Sequence, residues 1–177
     1  MNIVTVPWLK FNSRSKLRPL NGVILHHTAG ASATSTIRWL RKVTVRASYH
    51  YILARDGVIY KCVPVKKRAW HAGFSVGKFG RFVNSNTIGI AFANRGDGEV
   101  YTEAQITACH QLLVELVMNE PNLSWISTHR LITNRKNDPK GFGFHGFVQQ
   151  HKLRCDLAGI RALKPFRYIK LNRSWDG

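Results

Sequence analysis

Acidic side chains are scarce in this chain of 177 residues: 9 Asp and Glu stand against 27 Lys and Arg, a formal charge of +18 with neutral histidines. So strong an imbalance excludes polycationic partners and draws the chain toward polyanions such as nucleic acid, anionic membranes or phosphate-rich polymers. Cysteine is sparse too. Cys62, Cys109 and Cys155 are scattered and odd in number, which argues against a disulfide framework and fits a reducing cytoplasm. No run approaches the roughly 20 apolar residues of a membrane span. The stretch from Met1 to Trp8 has no basic segment ahead of a long apolar one, so no secretory leader is expected. Repeats, low-complexity tracts and linkers are also missing. What is there is 44% apolar, enough for one domain of this length to bury a core unaided, and a monomer is expected.

The apolar pattern alternates between strand and helix. Gly22 to Thr28 is rich in branched residues and predicts a buried strand. Ala31 to Thr36, small and hydroxylated, can cap a helix around Ile37 to Val43. Tyr49 to Ala54 and Val58 to Val63 flank Arg55-Asp56-Gly57, a hairpin signal because Asp-Gly readily takes positive φ. Thr87 to Ala93 predicts another strand, ended by the turn residues Asn94 to Gly98. Thr102 and Gln105 make a capping box for a helix with Ile106, Cys109, Leu112, Leu113, Leu116 and Val117 on one face. Trp125 to Thr128 reads as a short buried strand, Leu131 to Phe144 as a loop, and residues 1–20 as an irregular arm. The expected fold is a single α/β domain, a central mixed β-sheet flanked by helices.

Two strand ends carry histidines. His26 closes the first apolar run and His129 follows the last strand, with Asp138 nine residues on and Lys136 two places before it. Two neutral imidazoles and a carboxylate suit Zn²⁺, and three protein ligands leave one position open for water, the catalytic rather than the structural arrangement. Side chains alternate along a strand, so His27 faces away from His26, and His50 away from Tyr49. His110, His145 and His151 read as structural or surface groups.

Five ordered motifs resemble the type 2 zinc-dependent N-acetylmuramoyl-L-alanine amidases, the family of short phage endolysins, muropeptide-recycling amidases and animal peptidoglycan recognition proteins. They are Val23 to Gly30; Ser48-Tyr49-His50-Tyr51 with Asp56-Gly57; Arg68 to Gly73; Asn86 to Ile90; and His129-Arg130 with Arg135 to Pro139. They span about residues 20 to 147. The resemblance implies His26, His129 and Asp138 as zinc ligands, Tyr49 as the residue that assists the attacking water, and Lys136 beside the oxyanion. It places Thr28, Trp70, His71 and Asn86 along the substrate groove. Some relatives carry a Glu in the Ile-Gly-Ile-Glu strand where this chain has Ala91, so the role falls to Tyr49. A free tyrosine, with a pKa near about 10, is a poor base, which makes Tyr49 a positioner of water.

The function implied is hydrolysis of the amide between N-acetylmuramic acid and L-alanine in peptidoglycan. The charge favours a phage endolysin, made in the host bacterial cytoplasm and reaching the wall after release. The alternatives are a recycling amidase and a peptidoglycan-binding module without chemistry. The organisation expected is an arm (1–20), a catalytic core (21–147) and a basic extension (148–177) packed on it. That extension carries Lys152, Arg154, Arg161, Lys164, Arg167, Lys170 and Arg173 with Phe166, Tyr168 and Trp175. Expected partners are peptidoglycan and anionic envelope polymers or lipopolysaccharide. Nucleic acid is expected only non-specifically at low salt, since no recognition motif is present.

Overall fold

The computed structural model describes residues 1–15, 18–77 and 80–165. In chain order the elements are β1 (Ile3–Thr5), β2 (Phe11–Ser13), β3 (Gly22–His27), α1 (Ala33–Leu40), β4 (Tyr51–Leu53), β5 (Ile59–Lys61), β6 (Lys67–Ala69), β7 (Val76–Gly77) and β8 (Gly80–Arg81). They continue with β9 (Thr87–Phe92), α2 (Glu103–Asn119), β10 (Trp125–Thr128), α3 (Phe144–Leu157) and β11 (Lys164–Pro165). Seven strands form one sheet in the order β1-β5-β4-β9-β3-β10-β11. Only the β4–β5 hairpin is antiparallel, with Gly57 at φ 87 in its turn. The sheet is therefore mixed and flanked by helices, as the alternating pattern predicts.

Strand alternation sorts the core into two faces. Val23 and Leu25 of β3 join Ile88, Ile90 and Phe92 of β9 against Leu112, Leu113 and Leu116 of α2 and Phe147 of α3. On the other face Ile52 and Ala91 pack with Ile37 and Leu40 of α1. Ile24 packs there too, with Trp125, Ala72, Val83 and Ile132. The central strands β3, β4, β9 and β10 are buried along their whole length, which is why their sequences read as continuous apolar runs. Gly22 is required where the indole of Trp125 crosses it: a Cβ there would lie 2.3 Å from the ring.

Three expectations shift. Helix α1 starts four residues earlier than Ile37, because Ser32 and Ser35 close a capping box ahead of it. The arm is not wholly irregular: β1 pairs in parallel with β5 and β2 antiparallel with β6. All six residues of β1 and β2 are exposed, so no apolar alternation announces them. Residue 148 falls inside α3, which runs from Phe144 to Leu157. Of the basic extension, Phe166, Arg167, Tyr168, Lys170, Arg173 and Trp175 lie outside the described residues.

Candidate metal centre and cleft

Parallel pairing of β3 with β10 brings Thr128 opposite Leu25, so the next residues, His129 and His26, meet at the carboxyl ends of neighbouring strands. This is where open α/β sheets present their ligands. The two rings are 4.6 Å apart between centroids. Asp138 comes from the following loop, pinned by the Arg130 N–H donating to its carbonyl at 2.8 Å. Its carboxylate oxygens lie 2.9 Å from His26 Nδ1 and 2.9 Å from His129 Nδ1. All three residues are buried, with candidate ligand atoms within 4.8 Å of one another.

Hydrogen-bond bookkeeping tests whether a metal fits. Thr87 donates its hydroxyl to the Val83 carbonyl at 2.6 Å, leaving its oxygen to accept from His71 Nε2 at 3.3 Å. A neutral imidazole carries a single N–H. His71 Nδ1 is then a lone pair that accepts from His26 Nε2 at 3.0 Å. His26 Nδ1 is left unprotonated, pointing at Asp138. His129 likewise commits its Nε2–H to the Ala72 carbonyl at 3.2 Å and turns its Nδ1 lone pair inward. Two lone pairs and a carboxylate converge with no proton among them, which a cation between them relieves. The donor set fits a divalent metal of the zinc class.

Burial agrees with neutral imidazoles. It pushes the His26 pKa down to about 4, outweighing the pull of Asp138, and holds His71 well below its ordinary value. Tyr49, its ring 5.3 Å from that of His26, has its pKa raised by burial and then by Asp138. It therefore stands as a neutral phenol, a donor rather than a base.

A cleft of about 530 Å³ opens onto this cluster. Tyr49, Lys136, Thr28, Trp70 and His71 all line it, with His129 and Asp138. Asn86 does not: its amide donates to Asn21 Oδ1 at 3.2 Å. Asn84 lines the cleft, and its Oδ1 accepts from the N–H groups of His71 and Ala72 at 3.2 and 2.8 Å. His71 proves to be a supporting group as well as a lining one, hydrogen-bonded behind His26. His50 is fully buried, accepting from Gly89 N at 2.9 Å and donating to the Lys67 carbonyl at 3.0 Å. Cleft residues that the sequence reading passed over are Trp39, Arg46, Ala47, Phe74, Asn84 and Thr133. Trp39 alone left a signal, an aromatic on the polar side of an amphipathic helix.

Residues 16–141 match the family described as N-acetylmuramoyl-L-alanine amidase, Amidase_2. The chain belongs to that family. Among curated proteins, this chain is 37% identical over 97 residues to the 1,6-anhydro-N-acetylmuramyl-L-alanine amidase AmpD of Salmonella typhimurium, covering 54% of this chain and 51% of the relative. The match thus spans about half the length of that relative. Among solved structures, this chain shares its fold with a selenomethionine derivative of AmpD, with a TM-score of 0.69 at 24% identity over 82% of this chain and 92% of the other. It is also similar to AmpDh3 from Pseudomonas aeruginosa, solved with an anhydromuramic pentapeptide, with a TM-score of 0.63 and 26% identity over 80% and 60% of the two chains.

Proposed function

We propose that this amidase hydrolyses the amide between N-acetylmuramic acid and the L-alanine of the peptidoglycan stem, with Zn²⁺ held by His26, His129 and Asp138. The observation that carries the reading is the inward convergence of two imidazole lone pairs and a carboxylate at the floor of an open cleft. Bound there, Zn²⁺ supplies a Lewis acid for the amide carbonyl and a lowered pKa for water. The chain's own residues do the rest. Tyr49 orients the attacking water through its phenol. Lys136 places a positive charge beside the oxygen that becomes negative in the transition state. Thr28 and Trp70 on the cleft walls orient the muropeptide, and His71 holds the ring of His26.

Supporting an endolysin role is the charge of +18, suited to an anionic envelope. On this reading the protein is made in the host cytoplasm and reaches the wall on release. The similarity to the 1,6-anhydro amidase favours a second reading, recycling of small anhydromuropeptides. Turnover of purified peptidoglycan with mass analysis of the products tests the chemistry, with metal loaded, after chelation, and in Asp138→Ala. Free stem peptides bearing an L-alanine amine are expected only from the metal-loaded native chain. Intact amides together with tight, metal-independent binding would make it a recognition module instead.

A further inference from the structure

Helix α1 buries Ala33, Thr36, Ile37 and Leu40, which satisfies its contribution to the core. Trp39 is not used there: it is 52% exposed and lines the same cleft as Tyr49, His129 and Asp138. A second aromatic group lies on this cleft. Phe74 lines it, and Phe82 packs edge-to-face on Phe74 at 5.3 Å between centroids. Both phenylalanines are substantially exposed. Phe82 is held at φ 60, a left-handed conformation that a bulky side chain rarely adopts and that marks functional segments. The wall also carries hydrogen-bonding side chains, Asn84, Thr133, Asn137, Arg46 and Arg135, among small residues.

Exposed aromatic faces beside amide and hydroxyl groups describe a sugar site. The C–H face of a pyranose is weakly positive and meets the negative face of an aromatic ring, while its hydroxyl and N-acetyl groups need polar partners. A membrane-inserting group would present its rings on a convex apolar surface; these rings edge a polar concavity.

Resting on the amidase reading, we infer that Trp39, with the Phe74–Phe82 pair, is a platform for saccharides adjoining the muramic acid whose amide is cut. The preferred substrate is then the polymeric glycan strand rather than a free muropeptide, which lacks those neighbours.

The test compares kcat/KM on purified polymeric peptidoglycan with that on a soluble muramoyl tripeptide for the native chain, Trp39→Ala, Trp39→Phe and Phe82→Ala. The ratio of polymer to fragment is expected to fall about tenfold in Trp39→Ala, the size of one aromatic stack, to recover in Trp39→Phe, and to fall in Phe82→Ala. An unchanged ratio overturns the platform, whether both rates hold or both drop together. If the native chain cleaves neither substrate, the amidase reading fails by itself. Co-sedimentation of Asp138→Ala and Asp138→Ala/Trp39→Ala with the polymer then decides the platform, with a Kd about tenfold weaker expected for the double variant and equal binding overturning it. Binding of Asp138→Ala to anionic phospholipid vesicles but not to the polymer would also overturn it, in favour of a membrane.

Discussion

The tautomer of His26 is set three groups away from the metal site. The Val83 carbonyl fixes the Thr87 hydroxyl, which fixes His71, which leaves the His26 Nδ1 lone pair free. Thr87→Val keeps the shape of the strand but removes the acceptor for His71 Nε2. Metal affinity, measured by competition with a chelator, is expected to fall about 10- to 100-fold, the usual size of a lost supporting bond. Thr87→Ser should restore it, and undiminished affinity in Thr87→Val would refute the relay. The three residues proposed as ligands stand out in the sequence because each histidine lies at the end of an apolar run and Asp138 follows in a loop motif. The support for them is not. Nothing in Trp70-His71-Ala72 says which way the imidazole turns, and Gly89 in Thr-Ile-Gly-Ile has no local reason to be glycine. Its reason is tertiary: a Cβ there would lie 2.4 Å from His71 Cγ. Asn84 and Asn86 are two places apart, and only the fold shows which one reaches the cleft.

Among the elements, those with local rules were legible. Helix α2 begins where Thr102 and Gln105 exchange bonds, and the β4–β5 hairpin turns at Asp-Gly. Strands β1 and β2 were not, being short and exposed. The seam between α2 and α3 is unusual in burying histidines. His110 stacks on Phe147 at 4.2 Å and lies parallel to His151 at 5.9 Å between centroids, and His151 contacts the buried thiol of Cys155. Burial pushes the pKa of His110 and of His151 down to about 4, with Arg154 adding to the effect on His110. Unfolded, each titrates near about 6.5. The unfolded chain therefore binds more protons, and stability present above pH 6.5 is lost as pH falls toward 4. Each histidine contributes at most about 1.4 kcal/mol per pH unit in that window. Urea unfolding at pH 7.5, 6 and 5 should show this decline, and His110→Leu should make it shallower. A flat profile in the native chain would show that these histidines take up protons alike in the folded and unfolded states.

At the scale of the whole molecule, the chain carries 27 cationic residues against 9 anionic ones, so pairs such as Arg55–Glu99 and Lys152–Asp156 neutralise only a minority. Charges this exposed act through a field that salt screens within about 8 Å at physiological ionic strength. The chemistry is buried and the steering is not, so the two should separate experimentally. Binding of Asp138→Ala to peptidoglycan that retains its anionic polymers is expected to weaken by at least about tenfold between 50 and 200 mM salt, as counterion release requires for several neutralised charges. Duplex DNA should bind at the lower salt and be lost over the same range, without dependence on its sequence. Turnover of a small muropeptide by the native chain, governed by the shielded cluster, should change far less. If polymer binding proved insensitive to salt, the positive field would have no part in reaching the wall, and affinity would have to come from the cleft alone.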